Sequence, residues 1–284
     1  MKFRLFIGVL IFSFLSCGDE GELPMQEDLD HQSILKRFEE GFEQLPEKAI
    51  SISSDSNSYA QYAKPTDIYA HAILGDAIEA QQLVFYVSGQ FYNFILSNEY
   101  VFEDIRPRLI DVDDDNQLEL VTIRTNLSEG AGIVIYKLIN GAIEEYAVVG
   151  EIGSPNKWLN IVAVEDLDND GIKEIVWIET PHIGGILKVA KIKEGVLEVF
   201  SEQSQFSNHA IGERNLCLSV TVEKDSEKIV YVPSQDRSSI VGFSLNNQVL
   251  SPVDTIIQAV DFSLTLSSQY DFENIVQDEV NCIF

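Results

Sequence analysis

Two stretches decide the reading: Leu109-Ile110-Asp111-Val112-Asp113-Asp114-Asp115-Asn116-Gln117-Leu118-Glu119-Leu120-Val121 and, 55 residues on, Val164-Glu165-Asp166-Leu167-Asp168-Asn169-Asp170-Gly171-Ile172-Lys173-Glu174-Ile175-Val176. Each carries Asp at positions 1, 3 and 5 and Glu at position 9, between apolar, β-branched flanks. Alternate Asp residues on a tightly curled loop turn their carboxylates inward, and like charges that close repel unless a cation compensates them. Calcium favours six to eight oxygens from carboxylates and backbone carbonyls. The sharp turn at position 6 suits Gly171, and Asn116 tolerates the left-handed region. The expected ligands are Asp111, Asp113, Asp115 and Glu119 in one site and Asp166, Asp168, Asp170 and Glu174 in the other, completed by the carbonyls of Gln117 and Ile172. An EF-hand needs Glu at position 12 between helices; here position 12 is Thr122 or Trp177. Two calcium sites on strand–loop–strand units are therefore expected, the competing reading being metal-free acidic turns.

Outside the loops the register persists. Gly132 matches Gly185 at an offset of 53, and the turn glycines Gly141 and Gly195 match at 54. Lys228-Ile229-Val230-Tyr231-Val232 matches Glu174-Ile175-Val176-Trp177-Ile178, also at 54, in a unit without an Asp loop. A fainter unit is Leu83 to Val87 with its turn at Gly89. From about Tyr69, short β-rich runs alternate with Gly, Asn, Asp and Pro clusters, the all-β signature. About 50 residues per unit fit the four short strands of one blade, so the expected fold is a small β-propeller of about four to five blades over 61–270. Residues 256–266 are a candidate for closing the ring, and 271–284 form a tail. Ahead of it, residues 17–60 read as an acidic tether with one amphipathic helix over 33–45 and a Ser-rich linker or extended segment at 51–60.

The first sixteen residues have Lys2 and Arg4 before an apolar run from Leu5 to Leu15, the pattern of a signal peptide too short to span a bilayer. Ser16-Cys17 resembles a bacterial lipobox, departing from it in having Leu15 two places before the cysteine; lipid on Cys17 would anchor the chain to a membrane. Removing residues 1–16 takes away two positive charges, so the net charge of −27 becomes −29. Such a charge argues against nucleic-acid binding. The expected address is the outer membrane, at the cell surface or the periplasmic face. Cys217 and Cys282 are free thiols or a disulfide.

The repeated Asp-x-Asp-x-Asp-Gly-x-x-Glu-Ile between strands resembles the FG-GAP/VCBS repeats of integrin-type β-propellers, over roughly 69–250. The segments 155–160, 180–185 and 207–212 resemble a bacterial subgroup of such proteins. The resemblance implies calcium with a mainly structural role. The chain departs from it in lacking a Phe-Gly…Gly-Ala-Pro pair and in having Asn116 for Gly.

His182 and His209 lie in inter-strand loops beside Gly-rich turns and, with Trp158, Asn160, Asn208 and Arg214, make a candidate ligand or metal site; the alternative is histidines that fix turns by hydrogen bonding. No G-x-S-x-G, H-E-x-x-H, P-loop or dinucleotide fingerprint occurs. The expected function is a calcium-stabilised cell-envelope binding module with a protein or glycan partner. The rival readings are an enzyme acting on extracellular polysaccharide at the propeller mouth and a structural role in an envelope complex.

Overall fold

The computed structural model describes residues 29–257 apart from 194 and 217. The leader, Cys17, Cys217, Cys282 and most of the proposed ring-closing segment lie outside the described residues.

The single described helix, α1 (His31–Gly41), starts where the Asp30 carboxylate accepts the Ser33 amide at 2.8 Å. Ile34 and Phe38, four apart, bury one face against Tyr59 and Tyr86. It ends earlier than the expected 45 because the Gln44 amide donates to the carbonyls of Phe38 and Phe42, at 2.7 and 2.9 Å, and Gln44 itself bridges to Ala63.

Seventeen strands follow among the described residues. Sheet one holds β1 (Ile50–Ile52), β2 (Tyr59–Thr66), β3 (Glu79–Val87), β4 (Gln90–Ile95), β5 (Tyr100–Phe102), β6 (Arg108–Ile110), β7 (Glu119–Asn126), β8 (Gly130–Ile139) and β9 (Ala142–Val149). Sheet two is β10 (Leu159–Glu165), β11 (Glu174–Glu179), β12 (Ile186–Lys193) and β13 (Val196–Ser204). Sheet three is β14 (Val220–Lys224), β15 (Glu227–Pro233), β16 (Ser239–Asn246) and β17 (Val249–Ile257). All pairings are antiparallel.

The expected propeller is corrected by this topology. β5 pairs with β3 through Ala80 and Phe102, and with β7 along Tyr100–Phe102, so its backbone fuses two groups of strands that separate blades would keep apart. The result is one nine-stranded sheet beside two of four strands, and among the described residues none closes on itself. Of the two readings of the Ser-rich stretch the extended one holds: β1 and β2 pair across it, and Asp55 ties its turn by accepting the Ser53 hydroxyl at 2.6 Å and the Asn57 amide at 3.1 Å.

The sheets stack through their alternating side chains. Val121 and Ile123 of β7 share one core with Ile175 and Trp177 of β11. Val176 and Ile178, on the opposite face of β11, share the next core with Val230 and Val232 of β15. Ile229 and Tyr231 face a smaller outer cluster. The first two strands of sheet two are thus buried on both faces, which is why β11 reads as an apolar run.

The repeat glycines have a steric cause. A Cβ on Gly132 would lie 2.7 Å from the Val149 carbonyl oxygen, and one on Gly185 would overlap the carbonyl oxygen of Phe206. Gly141 and Gly195, with φ of 82° and 79°, end the β8–β9 and β12–β13 turns in the left-handed region. Gly185→Ala is expected to lower stability by roughly 2–3 kcal/mol through overpacking, and Gly141→Ala by about 1 kcal/mol through backbone strain. Urea unfolding of the two variants checks the order; equal, negligible losses would contradict the close approach at Gly185.

Candidate metal centres and a histidine cluster

Both Asp loops connect antiparallel strands, β6 to β7 and β10 to β11. Asp111 accepts the amides of Asp115 and Asn116 at 3.2 and 2.9 Å; Asp166 accepts those of Asp170 and Gly171 at 3.0 and 2.9 Å. Asn116 and Gly171 take positive φ, 65° and 94°, as position 6 requires. Gln117 and Ile172 donate their amides to Asp115 and Asp170 at 2.8 and 3.0 Å. Glu119 and Glu174, wholly buried as the first residues of β7 and β11, reach back to accept the amides of Val112 and Leu167 at 2.9 and 2.7 Å. This curls the chain so that ligand oxygens of Asp111, Asp113 and Asp115 lie within 4.8 Å of one another, as do those of Asp166, Asp168 and Glu174. Two clusters able to coordinate a divalent metal are therefore present. The loops also touch: the Lys173 amide donates to the Val112 carbonyl at 3.0 Å.

Each cluster contains a lysine that the sequence reading did not single out. Lys137 Nζ, from β8, lies 3.2 Å from Asp113, 2.7 Å from Asp115 and 2.7 Å from Glu119. Lys191 Nζ, from β12, lies 2.9 Å from Asp168, 2.8 Å from Asp170 and 2.5 Å from Glu174. The Oε1 atoms of Glu119 and Glu174 are sealed from solvent and meet only these ammonium groups. Burial works against each ammonium, but the carboxylate hydrogen bonds prevail and raise the pKa of both lysines. Burial pushes the Glu119 carboxyl up to about 7 against the pull of Lys137. Tyr146 adds a hydroxyl that donates to Asp113 at 2.6 Å. The signal for the lysines was available, since they stand 54 apart in the repeat register.

Of the candidate ligand residues, the structure brings together Trp158, His182 and His209. The Trp158 ring lies parallel to His182 at 6.1 Å and tilted on His209 at 4.8 Å. His182 Nε2 meets His209 Nδ1 at 3.0 Å, and His209 Nε2 meets the Glu213 carbonyl at 2.7 Å. Arg237 donates to the His209 carbonyl at 2.9 Å and to Ser207 at 2.8 Å. Asn160 and Asn208 are fully buried, and no hydrogen bond reaches either amide group. Arg214 is engaged elsewhere, with Glu47, with Asp76 at 3.0 Å and with the Leu74 carbonyl at 2.9 Å. Among the described residues no ring closes and no propeller mouth forms, so the expected envelope binding module and the alternative polysaccharide-acting enzyme both lose the place assigned to their site.

No protein-family model and no curated protein matches the chain, which corrects the FG-GAP/VCBS resemblance. Among solved structures, a protein from Lactobacillus plantarum is 10% identical over 76% of this chain and 57% of its own, with a TM-score of 0.42. A 6-phosphogluconolactonase candidate from Bacteroides fragilis is 12% identical over 74% of this chain and 59% of its own, with a TM-score of 0.37. The chain therefore spans under three fifths of either structure, and these likenesses bear on no residue of the site.

Burial lowers both imidazoles, His182 and His209, to about 4, so both are neutral at pH 7. The unfolded chain protonates its histidines near 6.5. Between these values protons bind the unfolded chain preferentially, so this contribution is complete above pH 6.5 and is lost as pH falls toward 4. The expected loss is about 3 kcal/mol for His209 and less for the partly exposed His182. Urea midpoints at pH 7, 5.5 and 4 should show a shallower decline in His209→Gln; parallel curves would refute the assignment.

Proposed function

We propose that this is a calcium-binding all-β protein in which one Ca2+ at each Asp loop fastens strand to strand and sheet one to sheet two. The observation that supports it is a charge imbalance: each loop sets four carboxylates against one lysine ammonium. With the glutamates ionised, three negative charges remain per loop, and at a few ångströms each like-charged pair costs on the order of 4 kcal/mol at intermediate dielectric. A divalent ion removes most of that. The donors are all oxygen, which suits a hard cation, and the Gln117 and Ile172 carbonyls complete the shell. An address outside the cytoplasm belongs to the same proposal, because partly exposed Asp loops suit the high calcium found there.

Calcium at about 100 times its Kd is expected to stabilise the fold by about 2.7 kcal/mol per site, raising Tm by roughly 10–20 °C when both are filled. Thermal unfolding in calcium and in EGTA checks this, with magnesium as the control for selectivity. A Tm that ignores calcium would mean that the lysines alone serve as counterions. A further prediction separates ion from lysine: Lys137→Met and Lys191→Met should lower stability in EGTA by about 3 kcal/mol and enlarge the calcium-induced rise. A smaller rise in these variants would show that the ammonium groups hold the carboxylates in place for the ion.

A further inference from the structure

The end of sheet one at which β2 begins and β3 finishes opens into a cleft of about 780 Å³, a size that suits a small ligand. Its floor is Tyr59, Phe85 and Tyr86, with Leu118 and Leu138 beside them. Tyr59 and Tyr86 are cross-strand partners whose rings meet edge to face at 5.9 Å. Three segments make the walls: the start of α1, the turn between β1 and β2, and the latter part of the first Asp loop. Each wall is pinned. His31 Nδ1 lies 2.8 Å from the Tyr59 hydroxyl, which donates to the Ser56 carbonyl at 2.8 Å. On the far side Gln117 Nε2 donates to Asp115 at 3.1 Å.

The chemistry of the lining selects among ligands. Among the described residues no Lys or Arg lines the cleft, so a phosphate or carboxylate would find no cation to replace its water, and the net charge of −27 repels it further. Asp55 is the one carboxylate, and its oxygens already accept the Ser53 hydroxyl at 2.6 Å and the Asn57 backbone and side-chain amides, both at 3.1 Å. An ammonium ligand therefore gains little there. A wholly apolar ligand would strip water from the hydroxyls and amides of Ser56, Asn57, Asn116 and Gln117 and return nothing. What remains is a neutral molecule with an apolar face for the aromatic floor and a rim of hydroxyls for the walls. Side-chain amides offer both donors and an acceptor, which is what a hydroxyl needs. The exposed Asn116 side chain makes no hydrogen bond among the described residues, so it has both to give.

We infer that this cleft binds an uncharged sugar, its C–H face against the tyrosine floor and its hydroxyls on the amides of the two facing turns. The inference stands whether or not the loops bind calcium, because the backbone of Asn116 and Gln117 is already held by Asp111 and Asp115 at 2.9 and 2.8 Å.

The test is saturation-transfer NMR on the full chain with a set of defined sugars: glucose, galactose, mannose, N-acetylglucosamine, maltose and cellobiose, set against glucose 6-phosphate, galacturonate and glucosamine. At least one neutral sugar is expected to bind. Its affinity should fall about tenfold or more in Gln117→Trp, which fills the cleft from an exposed position, and in His31→Ala, and stay unchanged in Lys36→Ala, exposed on α1 outside the cleft. No transfer to any neutral sugar at millimolar concentration, or binding indifferent to both cleft variants, overturns the inference. A charged sugar that binds more tightly than its neutral parent overturns the ligand class. Should the cleft variants fail to fold, diethyl pyrocarbonate labelling of the wild-type chain decides: the bound sugar should protect His31, and equal labelling with and without it overturns the site.

Discussion

A glutamate buried at the first position of a strand, answered by one lysine from the directly paired neighbouring strand, is the interaction on which the Asp-loop region depends. Glu119 and Glu174 each hold the loop backbone with one oxygen and an ammonium with the other. Removing the lysine leaves the sealed glutamate oxygen without a partner, which is far more costly than losing an exposed ion pair. The glutamate fixes where the loop ends and the strand begins, and the lysine fixes which neighbour that strand takes. The Asp side chains then have little freedom except to converge.

Much of this was legible in the amino-acid order. Asp at alternate positions with Glu four residues beyond the last marks a curled loop that re-enters a strand, and both loops do so. The match of Lys228–Val232 to Glu174–Ile178 is realised as β15 and β11, second strands of their sheets. In the third unit the loop has contracted to Asp225-Ser226, both at positive φ, a turn that needs no ion.

Other features left too faint a trace. β5 is only three residues long, yet it joins two strand groups and so decides against separate blades. Lys137 and Lys191 lie inside apolar strands, where a long side chain reads as an edge residue with its head in water. His71 and Glu103 are 32 residues apart, and nothing local announces that a buried carboxylate will orient that ring. The Ser-rich run at 51–60 has a linker's composition, but its side chains bond to one another and make a hairpin. In each case the deciding contact is tertiary.

Sheet two keeps its first two strands from water on both faces and is wet mainly along its edge strand β13. Packed between the cores of its two neighbours, it would present a broad apolar surface in any partly folded chain that lacked either of them. The sheets therefore gain their stability together: the flanking sheets shield the middle one, and the middle one gives them something to pack against. A chain truncated before β14 would expose Val176, Ile178, Leu187 and Val189 to solvent, a patch prone to aggregation. The order in which the chain leaves the ribosome thus places its most vulnerable surface in the interval before the last sheet arrives.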